Sequence, residues 1–211
     1  LAGTPLVAAL IPAIAAFAVP RNLIGLAIVL ASGVLCGKVG YRIIADSIQG
    51  RMVAPGPAAL GDRKGWSTGI AQWLLFALLG AGVGLAWWYL GLVAGTILAL
   101  LGWLVVPAMI LGVQEEDNPA AILDLKNALV TIVALNVSYW VLVPVLFLGF
   151  LAVSAIVSVV VDLLPSRAAW PLASLLILWF WFSFTHMLGY LGHQYAGPLG
   201  FNRDRSTRAN R

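Results

Sequence analysis

Apolar stretches close to twenty residues long recur along this chain, at 23–45, 66–89, 92–111, 129–151 and 170–193, with a shorter one at 6–19. The hydrocarbon core of a bilayer is about 30 Å thick, and a helix rising 1.5 Å per residue needs roughly 20 apolar residues to cross it. Inside hydrocarbon every backbone N–H and C=O must be paired within the protein, so runs of this kind fold as helices. The rest of the composition leaves no other medium. Hydrophobic residues make up 62% of the 211 and charged residues 9%, against averages of roughly 45–50% and 25% in soluble proteins. Eight acidic and twelve basic side chains cannot cover the wet surface of a soluble fold of this size. The same hydrophobicity excludes disorder, and a single cysteine, Cys36, excludes a disulfide scaffold. A net charge of +4 built from so few charges gives no nucleic-acid-binding surface. The expected fold is therefore all-α: a polytopic transmembrane helical bundle of about six spans, forming one domain over 1–195 and followed by a basic cytoplasmic tail at 196–211.

Breaks between the spans follow from local residues. Pro20, Arg21 and Asn22 turn the chain after the first span, which contains Pro12, and because the chain opens on Leu1, residues completing that span are expected to precede it. Lys38, Arg42 and Asp46 recur every four residues and carry one polar stripe out of the second span, with Gly50 as its stop. Pro55, Gly56 and Pro57 mark a loop. Only Trp87, Trp88, Tyr89, Leu90 and Gly91 separate the third and fourth spans, so a tight hairpin with interfacial aromatics is expected. Glu115, Glu116 and Asp117 lie in a polar loop at 112–118, a place for a cation or a basic partner or simply a solvated helix end. Asn118 and Pro119 read as the cap and first position of the next helix. The stretch from there to 161 is too long for one crossing, so 120–127 is expected to lie in the interface, 129–151 to cross with a kink near Pro144, and 152–161 to leave the membrane or run along it.

Distributing the twelve basic residues over six spans puts Lys38, Arg42, Arg51, Arg63, Lys64, Lys126, Arg203, Arg205, Arg208 and Arg211 on one side and Arg21 and Arg167 on the other. Positive charge stays cytoplasmic, so both termini are expected inside. Arg203, Arg205, Arg208 and Arg211 would also attract anionic lipid, at about 1 kcal/mol each near the surface.

Association in lipid needs close packing, which small residues at spacing four permit. Gly33 with Gly37, Gly80 with Gly84, and Gly91 with Gly95 fit that pattern, for packing within the chain or between copies. Pro107 and Pro144 remove backbone donors inside spans and either shape the bundle or open a substrate path. His186 and His193, with Tyr190 between them, share one face of the last span as a candidate polar face. The two imidazoles stand about 10 Å apart along the axis, too far for one metal ion, and no third histidine completes a haem or metal site. Gly65-Trp66-Ser67-Thr68-Gly69 matches the nucleophile pattern of serine hydrolases, but no strand precedes it, and Ser67 reads better as a helix cap. No ionisable residue stands near the middle of a span, which argues against a proton-coupled transporter, an ion pump or an intramembrane aspartyl protease. The deepest polar side chains are Asn136, Ser138, Gln72 and Thr131. No catalytic residue, cofactor or metal is expected.

Gly40-Tyr41-Arg42-Ile43-Ile44 followed by Gly50, Pro107-Ala108-Met109 followed by the acidic loop and Asn118-Pro119-Ala120-Ala121, and the stretch from His186-Met187-Leu188-Gly189-Tyr190 through Gln194-Tyr195 to Leu199-Gly200-Phe201 resemble segments of a bacterial membrane-protein family of unknown function, distantly akin to the Yip1 proteins. The resemblance implies a six-helix, multi-pass protein of the bacterial inner membrane and carries over no functional residue. The expected role is non-enzymatic: scaffolding or contacting other membrane components, through a membrane-protein partner, a second copy or the lipid itself. The alternative is a small-solute or lipid transporter or channel built around Pro107 and Pro144, with a cavity between the fourth and fifth spans.

Overall fold

The computed structural model describes residues 23–51, 65–116 and 119–199. The expected first span, the loop around Pro55–Pro57, Asp117, and the tail arginines Arg203, Arg205, Arg208 and Arg211 lie outside them. Five α-helices follow one another: α1 (Leu23–Ile48), α2 (Trp66–Leu90), α3 (Leu92–Glu116), α4 (Leu125–Leu163) and α5 (Ser166–Gln194), with a 3₁₀ turn, Pro119–Leu123, between α3 and α4. Among the described residues there is no strand. Four segments, Trp66–Leu90, Leu92–Gln114, Leu125–Leu163 and Ala168–Gln194, are long and apolar enough to cross a membrane. The chain is an all-α helical bundle, and these four segments fit a multi-pass membrane protein.

Each helix packs against its neighbour in sequence, and α5 closes the ring against α1. Pairs of touching residues give the directions. Gly37 meets Gly69, and Gly33 meets Trp73, so α1 and α2 are antiparallel; Gly95 on Trp87 and Gly102 on Leu79 make α2 and α3 a hairpin. Trp103 bonds Val143 and Gly112 meets Asn127, making α3 and α4 antiparallel. Ser138 bonds Tyr195 and Gly149 meets Phe180, making α4 and α5 antiparallel. Gly40 on Trp181 and Ile44 on Gly189 make α1 and α5 parallel. One end of the bundle therefore gathers the end of α1, the start of α2, the turn between α3 and α4, and the end of α5. Among the described residues the other end carries the start of α1 with the α2–α3 and α4–α5 links.

Local chemistry explains the ends. Arg51 N–H reaches Asp46 O at 2.8 Å and Gly50 N–H reaches Ser47 O at 2.9 Å, a paired closure that needs a left-handed residue at Gly50, whose φ is +73. Gly91, φ +87, is the entire link between α2 and α3, and a side chain there would strain the backbone. The polar stripe of α1 is tied down at this end: Arg42 Nε donates to Asp46 at 3.1 Å and Arg51 stands 3.5 Å from the same carboxylate. Lys38 is 2% exposed, and its ammonium sits 4.4 Å over the Trp66 ring.

Several sequence expectations shift. α3 runs through Glu116, so Glu115 and Glu116 belong to a helix end rather than a loop. Asn118–Pro119 does not start the following helix. Pro119 opens the 3₁₀ turn, whose Ala121 and Ile122 are buried in the core, and Asp124 caps α4 by accepting the Asn127 N–H at 3.0 Å. Residues 152–161 continue α4 to Leu163 and so do not fold back along the surface, the other of the two paths expected for them. The backbone breaks at Asn136, φ 48 and ψ −133, and not at Pro144, which stays within the helix as Pro107 does in α3. Ser67 lies exposed in the first turn of α2, where Gly65 is the cap residue and no side chain caps the helix.

The core runs along α3, where Ile110, Leu111 and Val113 share one buried cluster with Leu135, Tyr139 and Leu146 of α4 and Leu188 of α5. A seam of rings continues it: Trp103 contacts Phe147, Phe150 and Phe184, and Trp181 stacks on Phe184 with centroids 5.6 Å apart. Outside, α2, α4, α5 and the first half of α3 present large apolar side chains, from Trp88 (82% exposed) to Val133 and Leu163 (both 77%). A contiguous surface of that size is incompatible with water and natural in hydrocarbon.

Candidate functional site: a cleft between α4 and α5

The α4–α5 pair is held closely at its link and again at Ser138–Tyr195, where the two hydroxyls stand 2.6 Å apart. Between these points the helices part into an open cleft of about 540 Å³. Its α4 wall is mainly apolar, with Val137, Val141 and Val145 one turn apart and Leu142 and the Ser138 hydroxyl beside them. Its α5 wall carries His186, Tyr190 and Gln194, also four apart, with Met187 and Leu191 beside them. A polar row on one helix thus faces an apolar row on the other, and Asn136, the break in α4, adjoins the cleft's polar end.

Two of the polar groups are held from behind. Ser47 Oγ and His186 Nδ1 share a 3.0 Å hydrogen bond, which orients the imidazole that lines the cleft. Ser138 is fixed by Tyr195. Glycines make the first contact possible: a Cβ on Gly189 would stand 2.5 Å from Ser47 Cβ and 2.9 Å from Ile44 O, and one on Gly192 would stand 2.9 Å from Ile48 Cγ1. The α1 backbone therefore lies directly on α5, and Trp181 Nε1 donates across the same seam to Cys36 O at 3.1 Å.

Of the polar face expected from sequence, His186 and Tyr190 line the cleft and His193 does not. His193 turns to α1, where its Nδ1 donates to Ile48 O at 2.9 Å. Gln194 stands in the row instead, and its spacing of four from Tyr190 is the sequence signal for it. Ser138 and Tyr195 could not be paired from sequence, being 57 residues apart.

The glycine pairs divide. Gly33 and Gly37 lie against Trp73 and Gly69 of α2, and Gly95 lies against Trp87. A Cβ on Gly80, Gly84 or Gly91 would meet nothing within 4 Å, so these three do not pack inside the described chain. The acidic residues bring no ligand set together: among the described residues no group of three or more His, Cys, Asp or Glu could hold a metal ion. Of the deep polar side chains, Gln72 and Thr131 are each 1% exposed, with Gln72 Oε1 3.3 Å from where a Gly37 Cβ would stand. The helices expected to enclose a transport cavity, α3 and α4, are joined across their middle by Trp103 Nε1 donating to Val143 O at 3.3 Å and Tyr139 donating to Leu104 O.

Comparison of the chain with protein-family models, with curated proteins and with solved structures finds no match.

Proposed function

We propose that this chain is a non-enzymatic integral membrane protein that engages other membrane components, and that the component engaged by the α4–α5 cleft is a lipid. The observation that carries this reading is the cleft itself: it opens on the side of the bundle where Val137, Val141 and Met187 are exposed, the surface that hydrocarbon would wet, so the molecules present at its mouth are lipid chains. The protein in this reading crosses the bacterial inner membrane six times with both termini in the cytoplasm, which assigns the polar end of the bundle to the cytoplasmic face, and the family resemblance adds the same topology. The tail arginines would hold anionic headgroups from that face, a contact weakened by salt.

Gentle purification followed by native mass spectrometry tests the reading. A lipid retained at one per chain, and lost when Val141→Trp fills the cleft, is the expected result; retention unaffected by that substitution contradicts it.

A transporter remains the second reading, favoured by one observation: α4 is broken at Asn136 beside the cleft, and broken helices accompany substrate sites in transporters. It requires the cleft to admit water. Cysteines placed at Ser138 and Val145 would then react with membrane-impermeant thiol reagents from one face; no reaction from either face removes it.

A further inference from the structure

We infer that the Ser138–Tyr195 pair is a latch on the polar end of the α4–α5 cleft, and that its opening sets how fast a lipid enters and leaves. The inference rests on the reading of the cleft as a lipid site and adds how access to that site is controlled.

The two walls of the cleft are fastened to different neighbours. α4 is tied to α3 by Tyr139 donating to Leu104 O and by Trp103 Nε1 donating to Val143 O at 3.3 Å. α5 is tied to α1 by the 3.0 Å His186–Ser47 bond, by His193 Nδ1 donating to Ile48 O at 2.9 Å, and by the close backbone approach at Gly189. Neither wall can shift as a whole without breaking its own seam, so access changes where the walls meet each other. Towards the α4–α5 link they meet by packing: Phe180 lies against Gly149, and its ring stands 6.2 Å from that of Phe150. At the polar end they meet through two hydroxyls 2.6 Å apart. One bond between uncharged groups on membrane helices is weak, and rotation of either side chain to another staggered position breaks it.

Both latch residues also stand where their helices are interrupted. Asn136, two residues before Ser138, is the one non-glycine residue with a positive φ among the described residues. Its φ of 48 and ψ of −133 lie outside the wells that side-chain-bearing residues favour, and strain of this kind gathers beside sites that switch. The break removes helical bonds that would otherwise hold Val137 and Ser138 to the preceding turn. Tyr195 is the first residue past α5, with φ −109 and ψ 23. A small backbone change at either place therefore swings a latch hydroxyl while the anchored middles of α4 and α5 stay in position. Asn136 and Gln194 are both exposed. With the latch open, the polar row His186, Tyr190 and Gln194 runs on to Asn136, so a lipid headgroup keeps polar partners as it passes.

Lipid exchange tests the latch. The full chain with its retained lipid is reconstituted in vesicles of phosphatidylethanolamine and phosphatidylglycerol with perdeuterated chains. Samples are withdrawn at intervals, and the deuterated share of bound lipid is read by native mass spectrometry. Tyr195→Phe keeps the ring and Ser138→Ala keeps the helix, and each removes the same bond. Each is expected to raise the exchange rate about three- to tenfold, as loss of one interhelical hydrogen bond predicts, and either alone suffices. The double variant is expected to exchange no faster than the faster single one, since the bond is lost only once. Ser158→Ala, whose hydroxyl bonds Ser154 O within α4, should leave the rate unchanged. Unchanged or slower exchange in both single variants, or effects that multiply in the double variant, overturns the latch and leaves the cleft as a lipid site. No lipid retained by the unsubstituted chain, or retention that survives Val141→Trp, overturns the lipid reading itself.

Discussion

At Gly189 the α1 and α5 backbones are so close that a single methyl would meet Ile44 O at 2.9 Å and Ile44 Cα at 3.0 Å. These are main-chain atoms that cannot rotate away. Gly189→Ala should therefore cost about 1–3 kcal/mol through forced separation of the helices, and it should also loosen His186, whose orientation depends on Ser47 across the same seam. Gly84→Ala meets nothing among the described residues and should shift stability by no more than about 0.5 kcal/mol. Thermal unfolding of the two variants in the same detergent compares them; equal losses would mean the seam is not packed as described. Tyr139 offers a second residue-level check. Its ring is fully buried and its hydroxyl donates to Leu104 O, in the stretch of α3 just before Pro107. Tyr139→Phe keeps the ring and removes the bond, which in a membrane bundle should cost about 0.6–1.7 kcal/mol. No measurable loss would show that the hydroxyl contributes nothing there.

The elements were legible in the sequence to the extent that hydrophobicity alone decides them. The cores of α2, α3 and α5 lie where uninterrupted apolar runs require helix, and Gly91 and Gly50 end helices because a positive φ there suits glycine. Apolar runs are silent about where a long helix bends, and α4 shows why. Pro144 is the residue whose chemistry predicts a kink, but with its neighbours packed it remains in the helix, while Asn136, a polar residue that tolerates left-handed φ, takes the break. At 1.5 Å per residue, Val137–Leu163 still measures about 40 Å, so the break lets the first turns of α4 pack against α3 as part of the polar end. The start of α4 was misplaced for a related reason: Asn118–Pro119 has the residues of a cap, but the Ala121 and Ile122 that follow are drawn into the core, and Asp124 caps instead. Asp124→Ala should lower stability by about 1 kcal/mol and expose the Asn127 amide to hydrogen exchange; an unchanged exchange rate at Asn127 would place the helix start elsewhere. The candidate site was less legible than the elements, since Ser138–Tyr195 and Ser47–His186 join residues 57 and 139 apart. Only the row His186, Tyr190 and Gln194 had a local periodicity to read.

For the whole molecule the decisive feature is where apolar surface lies. Successive helices run antiparallel and α5 closes the ring parallel to α1; the described ion pairs gather at one end, and large apolar side chains cover the sides. This is a soluble protein's distribution turned outward, and it is stable only if hydrocarbon surrounds the ring. The lipid cleft and the topology both depend on that placement. Spin labels on single cysteines at Leu148 of α4 and Ile177 of α5, both facing outward, measure it most directly in reconstituted vesicles. Relaxation by dissolved oxygen well above that by a water-soluble nickel complex at both positions is the expected result, and strong relaxation by the nickel complex at either would contradict the account.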